Sequence, residues 1–386
     1  MQRLGLIAEG VVLPVEKGFI LCDDKETGKV ILISVIGSGG TSIAYKGIRK
    51  RNGNTVSCIV KEYFPEQKAK SGIYVRKKIG EKITITKQYR EKELCMQMEN
   101  MQRELQINQD IYYSGKSIEK TDCNNSAYVY SAEYLCRLGD STYLALDSSN
   151  GETLRARLNQ GKLSIETTLR LIYQMLIIVN HLDKKGYVHC DIKPENLWLR
   201  GEGENQSMCL LDLGSAFKLS DYQIDITHMN DWELIETADR VMDNENIGSN
   251  TCGFSSVNIG RVQSNKSIYS TTDHSINRAR LLLESINAMG VGDDLFSVVK
   301  TADQLLNDTD MKKEEREATN DIWEEVKRKN SDEGFCTVEE LKEEIKIIDT
   351  ILHKGAHPAV LERGLKQEME TLQYGEFDSC LLCDVE

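Results

Sequence analysis

Over roughly the first third of the chain, apolar residues fall in short runs separated by glycines and polar turns. Residues 1–30 carry such runs broken by Gly5, Gly10, Gly18 and Gly28, and read as strands or an extended lead-in. Ile31 to Ile36, Val56 to Lys61, Tyr128 to Leu135 and Thr142 to Leu146 read as further strands, since they are rich in the β-branched and aromatic residues that suit a pleated surface. Residues 88–112 break this rhythm. Leu94, Met98, Met101 and Leu105 recur near the 3.6-residue period and predict a helix. Asn124-Asn125-Ser126 marks a turn. From Glu152-Thr153-Leu154 onward the pattern is mostly helical. Ile165 to Leu182 predicts a strongly apolar core helix, and Ile276 to Ile286, Glu314 to Lys329 and Thr337 to Leu352 predict others. Thr337-Val338-Glu339-Glu340 has the spacing of a capping box. Between Asp212 and about residue 293 the chain otherwise reads as irregular. An amphipathic helix over Pro358 to Leu372 closes the pattern.

Several polar residues sit where this pattern does not call for them. Lys61 ends the apolar strand Cys58-Ile59-Val60-Lys61, and a buried ammonium needs a partner. Glu91, Glu93, Glu99 and Glu104 on the 88–112 helix compete to supply it. Upstream, Gly37-Ser38-Gly39-Gly40-Thr41-Ser42 is either a plain hairpin turn or a backbone cradle for phosphate oxygens. Downstream, His189-Cys190-Asp191-Ile192-Lys193-Pro194-Glu195-Asn196 precedes Leu210-Leu211-Asp212-Leu213-Gly214. A carboxylate beside a lysine can take a hydroxyl proton while the lysine faces a phosphate. An amide and a second carboxylate are oxygen donors suited to Mg²⁺. Together these are the parts that phosphoryl transfer needs.

At these residues the sequence resembles the protein kinase family. H-R-D-L-x-x-x-N is matched by His189-Cys190-Asp191-Ile192 with Asn196, and D-F-G by Asp212-Leu213-Gly214. In the glycine loop Gly37 and Gly39 match, Ser42 stands for the third glycine and Ala44 for the valine. Cys58 to Lys61 stands at V-A-I-K. Met101-Gln102-Arg103-Glu104 selects Glu104 as the lysine's partner, with a solvated helix charge as the bland alternative. Asp294-Leu295-Phe296-Ser297 resembles the start of the helix whose aspartate braces the catalytic loop; a helix N-terminal charge is the alternative there. Lys61-Glu62-Tyr63-Phe64-Pro65 and the glycine loop look most like soluble bacterial kinases of eukaryotic type.

The resemblance implies an α+β fold of two lobes. The small lobe, residues 1–147 with the lead-in, would hold a five-stranded antiparallel sheet and one helix. The large lobe, 148–352, would be mainly helical, with a long activation segment and an insertion at 261–289; residues 353–386 form a helical tail. It implies ATP and Mg²⁺ as cofactors and Ser/Thr protein phosphorylation as the reaction, the lysine at 193 being the Ser/Thr pattern. Asp191 would be the base, Lys193 would neutralise the γ-phosphate, and Asn196 and Asp212 would hold the metal. Lys61, fixed by Glu104, would hold the α- and β-phosphates. Gly37, Ser38, Gly39, Gly40, Ser42, Ala44, Cys58, Leu146, Asp147, Ser149 and Leu199 would surround the nucleotide, with Leu146 as gatekeeper.

Three departures bear on this reading. Cys190 replaces the arginine that pairs with a phosphorylated loop in regulated kinases. Thr251 to Asn258 resembles a degraded end of the activation segment, with Asn258 in place of its glutamate. That glutamate's usual arginine aligns with Gly334, so both halves of one ion pair are missing together. Two rivals keep the fold: an ATP-binding pseudokinase acting as a scaffold, and a kinase of small molecules.

The 386 residues carry a net charge of −13, which disfavours non-specific nucleic-acid binding. The eleven cysteines are scattered, mostly in apolar runs, and read as reduced thiols of a cytoplasmic protein. Cys380 and Cys383 lack two further ligands for zinc. Nothing at the N-terminus looks like a signal peptide, and the run from Leu171 to Leu182 is too short to span a bilayer. The expected partners are protein substrates and a regulatory protein, with no nucleic acid and no membrane.

Overall fold

The computed structural model describes residues 17–24, 28–38, 42–51, 53–63, 76–79, 82–85, 91–113, 132–138, 141–147, 151–200, 206–243, 254–271, 275–332 and 334–352. Gly39, Gly40, Ser149, Thr251 to Gly253 and the tail with Cys380 and Cys383 lie outside the described residues. The chain divides into two compact units, one drawn from residues 1–112 and 130–151, the other from 113–129 and 152–386.

The first unit is built on an antiparallel sheet. Its strands run, in spatial order, Ile20–Asp24, Gly28–Ser38, Ser42–Arg51, Asn54–Tyr63, Ser141–Asp147 and Ala132–Leu138. This is one strand more than expected: the edge strand Ile20–Asp24 comes from the lead-in and turns back onto Gly28–Ser38. Successive side chains point to opposite faces of a strand. On one face Ile43, Tyr45, Cys58, Val60, Tyr143 and Ala145 join Leu21, Val30, Leu32 and Leu135 in an apolar cluster. The other face carries the row Ala44, Lys61 and Leu144, which are register partners across three strands. Helix Glu91–Tyr113 packs there, where Met101 and Leu105 meet Tyr63 and Leu144. A separate hairpin, Arg76–Ile79 with Lys82–Ile85, had no counterpart in the sequence pattern.

The second unit is organised on helix Ile165–Lys184, which starts at the Ser164 cap and buries Leu169, Leu171, Ile172, Met175, Leu176, Ile178, Val179 and Leu182. Each such side chain contributes about 1.5–3 kcal/mol when removed from water. Helices Val291–Asn307 and Val338–Leu352 pack against it. The capping box at 337–340 is formed: Thr337 Oγ1 accepts the Glu340 N–H at 3.2 Å, and Glu340 accepts the Thr337 N–H at 3.4 Å. Two antiparallel strand pairs frame the chemistry-bearing loops, Leu197–Arg200 with Ser207–Leu210 and, enclosing it in the chain, Tyr187–Val188 with Phe217–Lys218.

The segment after Asp212 departs from the expected irregular chain. It holds helices Asp231–Asp243 and Val257–Thr271 besides Ile276–Asn287. The first has a cap the sequence reading passed over. Asn230 Oδ1 accepts the N–H groups of Trp232 and Glu233 at 3.0 Å, while Glu233 accepts the Asn230 N–H at 2.8 Å. Its fully buried apolar residues are Leu234, Ala238 and Val241, with Thr237 buried beside them and Ile235 and Met242 packed at the margin, a stripe diluted by polar and charged neighbours. Those residues join Ile259, Val262, Leu282, Leu283 and Ile286 in one apolar cluster. None of the described helices is long and apolar enough to cross a membrane.

Candidate active site

In the first unit, strand Asn54–Tyr63 delivers Lys61 to the sheet face that the helix covers. Lys61 Nζ donates to Glu104 Oε1 at 2.8 Å and Oε2 at 2.6 Å. Both side chains are nearly sealed, at 8% and 5% exposure, so each charge depends on the other for solvation. The Tyr63 hydroxyl also donates to Glu104, and the Lys61 ammonium lies 5.1 Å from the Tyr63 ring centroid. Among the competing glutamates, the structure therefore pairs Glu104 with Lys61. Asn108, one turn on, accepts the Ala132 N–H at 2.9 Å and so anchors the entering edge strand.

Alternation sorts the remaining expected nucleotide contacts. Gly37 pairs with Ala44, and nothing stands within 4 Å of where a Cβ on Gly37 would project, so the backbone is open to approach there. Ala44 and Leu146 share the Lys61 face, since Leu146 pairs with Ile59 and Ala44 with Lys61. Cys58 does not. Its thiol is wholly buried in the apolar cluster on the opposite face, and the residue of this stretch that shares the Lys61 face is Ile59, two residues before Lys61. Ser42 opens strand Ser42–Arg51 opposite Tyr63, and Asp147 ends strand Ser141–Asp147 opposite Cys58.

In the second unit, the loop between Tyr187–Val188 and Leu197–Arg200 gathers the other expected residues. Lys193 Nζ donates to Asp191 Oδ2 at 2.6 Å, and Asn196 Nδ2 donates to the same oxygen at 3.0 Å and to the Asp191 carbonyl at 2.9 Å. A cation and an amide thus fix the orientation of the Asp191 carboxylate. The amide nitrogen of Asn196 is committed to Asp191, which leaves its carbonyl oxygen for a cation. Asp212 Oδ1 accepts the Gly214 N–H at 2.9 Å, so the turn after Asp212 sets that carboxylate. Among the described residues no group of three or more His, Cys, Asp or Glu could hold a metal alone. Asn196 and Asp212 fit Mg²⁺, which takes one or two protein oxygens and completes its shell with phosphate and water. Leu199 is wholly buried beside Leu197, with Trp198 turned to the other face of that strand.

Two supporting residues hold this loop. Asp294 Oδ2 accepts the His189 N–H and Oδ1 the Cys190 N–H, both at 2.8 Å. Burial pushes Asp294 up to about 7, against those two hydrogen bonds. His189 was not singled out from sequence, although it opens the H-x-D triplet. Its Nδ1 accepts the Asp191 N–H at 3.1 Å, and Nε2 meets the Asp212 carbonyl at 2.5 Å. Burial lowers its pKa, so the ring is neutral with the proton on Nε2, and it links the backbones of both key aspartates. Cys190 is the sole non-glycine residue with positive φ among those described, at 66°. Its thiol is fully buried with Val188, Phe217 and Leu234, and burial together with Asp294, Asp293 and Asp191 raises its pKa well above the ordinary range. An uncharged, packed thiol therefore occupies the place of a cation.

Comparison with known proteins adds a family and some distant relatives. The protein kinase domain matches residues 31–232. The serine/threonine-protein kinase dkf-1 of Caenorhabditis elegans is 35% identical over 75 residues, 19% of this chain and 10% of that protein. Serine/threonine-protein kinase dkf-2 of Caenorhabditis briggsae is 25% identical over 186 residues, 47% of this chain and 12% of that protein. Serine/threonine-protein kinase D2 of Rattus norvegicus is 30% identical over 90 residues, 23% of this chain and 10% of that protein. The matched stretches thus span about a tenth of these relatives' length.

Proposed function

The chain belongs to the protein kinase domain family, and from that premise we propose that it transfers the γ-phosphate of ATP to Ser or Thr hydroxyls of protein substrates. The observation that carries this reading is the Asp191 carboxylate, held by Lys193 and Asn196 on a loop that Asp294 braces. Asp191 orients the acceptor hydroxyl and takes its proton as the oxygen attacks the γ-phosphorus. The new O–P bond forms as the bond to the bridging oxygen breaks, and ADP leaves with the electron pair. Lys193 turns its charge to the γ-phosphate, and Lys61, kept in place by Glu104, holds the α- and β-phosphates. Asn196 and Asp212 would hold Mg²⁺, which would supply positive charge to the phosphates. Gly37 to Ser42, Ala44, Leu146, residues 147–149 and Leu199 are assigned to the nucleotide, with Ile59 in place of Cys58. The nucleotide lobe is assigned to the unit of residues 1–112 and 130–151, and the helical lobe to the unit that holds 152–352.

Ser/Thr specificity is supported by Lys193 and by the names of the distant relatives. The finer likeness to bacterial kinases rests on Lys61 to Pro65 and the glycine loop alone. One observation favours a second reading, an ATP-binding scaffold: the substrate segment lacks the usual ion pair, with Asn258 and Gly334 in its two places. Incubation with Mg-ATP, followed by intact-mass measurement of the chain and of a generic protein substrate, separates the two. Wild type should add phosphate to one or both, and Asp191→Asn should add none while still binding Mg-ATP. No added mass with wild type, or equal addition by Asp191→Asn, overturns the assignment.

A further inference from the structure

Two carboxylates stand side by side in the first turn of helix Val291–Asn307, and they serve different partners. Successive helical residues point in directions about 100° apart, so neighbours cannot share one face. Asp294 holds the catalytic loop through the His189 and Cys190 N–H groups. Asp293, only 1% exposed, faces the segment end instead. Its Oδ1 accepts the Ser256 hydroxyl, its Oδ2 accepts the Gly290 N–H at 2.8 Å, and the Asn258 side chain also reaches it. Ser256 in turn accepts the Ile259 N–H at 3.1 Å, which caps helix Val257–Thr271. One turn beyond, the Ser297 hydroxyl donates to the Phe254 carbonyl at 2.8 Å. Residues 254–259 are therefore fastened to the same helix that braces the catalytic loop.

This fastening is not the one that the resemblance implies. No glutamate stands at 258 and no arginine at 334. Gly334 instead has a φ of +76° and closes helix Lys313–Asp332 through its N–H to the Lys329 carbonyl at 2.9 Å, a conformation that suits glycine. Asn258 spends its amide on the Ala288 carbonyl at 3.1 Å as well as on Asp293. A hydroxyl–carboxylate tie from a different pair of positions does the holding. Removing its donor leaves a buried carboxylate short of a hydrogen bond, so the segment moves to restore one.

We propose that Asp293, acting through Ser256, is the positioning residue that sets the substrate-bearing end of the segment against the catalytic loop. This rests on the protein-kinase reading above. It assigns the two adjacent carboxylates separate jobs. Asp294 governs the geometry of the transfer step, and Asp293 governs how well the acceptor segment is held before it.

The test uses the full chain with Ser256→Ala, Asp293→Ala and Asp293→Asn. Asparagine can accept the Gly290 N–H while donating to the Ser256 oxygen, so it is the conservative rescue. For Ser256→Ala and Asp293→Ala, the KM of a protein or peptide substrate should rise at least about tenfold, with kcat and Mg-ATP binding within about twofold of wild type. Hydrogen exchange at the Ile259 amide should quicken in both, and Asp293→Asn should restore most of the substrate KM. An unchanged substrate KM in both alanine variants overturns the proposal, as does unchanged exchange at Ile259. So does a parallel fall of kcat and nucleotide binding, which marks general damage. A wild type that transfers no phosphate overturns the kinase reading itself and this role with it. An active wild type whose variants keep their KM overturns this role alone.

Discussion

Replacing Lys61 by methionine should cost far more stability than the loss of one exposed lysine, and a second substitution should return most of it. The chain of reasoning is local to the first unit. Lys61 and Glu104 are 8% and 5% exposed and share two hydrogen bonds of 2.6 and 2.8 Å. Lys61→Met fills the methylene space of the lysine stem but strands the Glu104 carboxylate in a place with little water. Breaking a buried pair in this way costs about 3–5 kcal/mol. The Tyr63 hydroxyl still donates to Glu104, which puts the expectation near the lower end, about 3 kcal/mol. The double variant Lys61→Met with Glu104→Leu removes both charges and places apolar groups beside Met101 and Leu144, so it should lie within about 1 kcal/mol of wild type. Urea unfolding of Lys61→Met, Glu104→Leu, the double variant and wild type gives the four corners of a double-mutant cycle, with a coupling of about 2 kcal/mol or more. Nucleotide binding should not follow stability. The double variant should give a much smaller thermal shift with Mg-ATP than wild type, because the cation assigned to the α- and β-phosphates is gone. A cost below about 1 kcal/mol for Lys61→Met would refute the claim that the pair is mutually dependent.

Asp212→Asn should reduce the midpoint shift given by Mg-ATP far more than Asp191→Asn does, because one carboxylate is assigned to the metal and the other to the acceptor hydroxyl; equal shifts would sink that division. Cys190→Arg should destabilise the chain by about 3 kcal/mol or more in urea, since it drives a guanidinium into the cluster of Val188, Phe217 and Leu234. The same packing implies control without loop phosphorylation: stripping the protein with phosphatase should leave its initial rate unchanged, and a lag abolished by pre-incubation with ATP would contradict this. Asp294 makes stability depend on pH with a definite sign. Its folded value of about 7 lies above the ordinary 3.8, so the fold favours the protonated acid. That stability is present below about pH 4 and is lost as pH rises through about 7, a change of roughly 4 kcal/mol. Urea midpoints of wild type relative to Asp294→Asn should therefore fall across this window, and a flat or rising difference would count against it.

Much of the local structure was legible because it depends on near neighbours in the chain. The 3.6-residue period of Leu94, Met98, Met101 and Leu105 and the Thr337 to Glu340 box each work within a turn or two of helix. The spacing of Asp191, Lys193 and Asn196 likewise sufficed to bring them together, since a tight loop of a few residues closes that triangle. Where the reading erred, the answer lay in partners distant in sequence. Cys58 was grouped with Lys61 because both lie in one strand, but only the pairing of Cys58 with Gly47 and Asp147, and of Lys61 with Ala44 and Leu144, decides that they take opposite faces. With a side-chain period of two, choosing the neighbour of the right residue inverts its environment. Helix Asp231–Asp243 was missed because its buried apolar residues gain their stabilisation from Ile259, Leu282 and Ile286, which lie well beyond its own C-terminus. The tie between Ser256 and Asp293 spans 37 positions and joins two polar residues that no local pattern distinguishes from surface ones. The sequence by itself determined the family resemblance and the loops that bear Asp191, Lys193, Asn196 and Asp212, because those loops close over short spans. Only the tertiary structure decided which sheet face meets Lys61, how the segment after Asp212 is held and where Cys190 is buried, because each depends on packing between elements far apart in the chain.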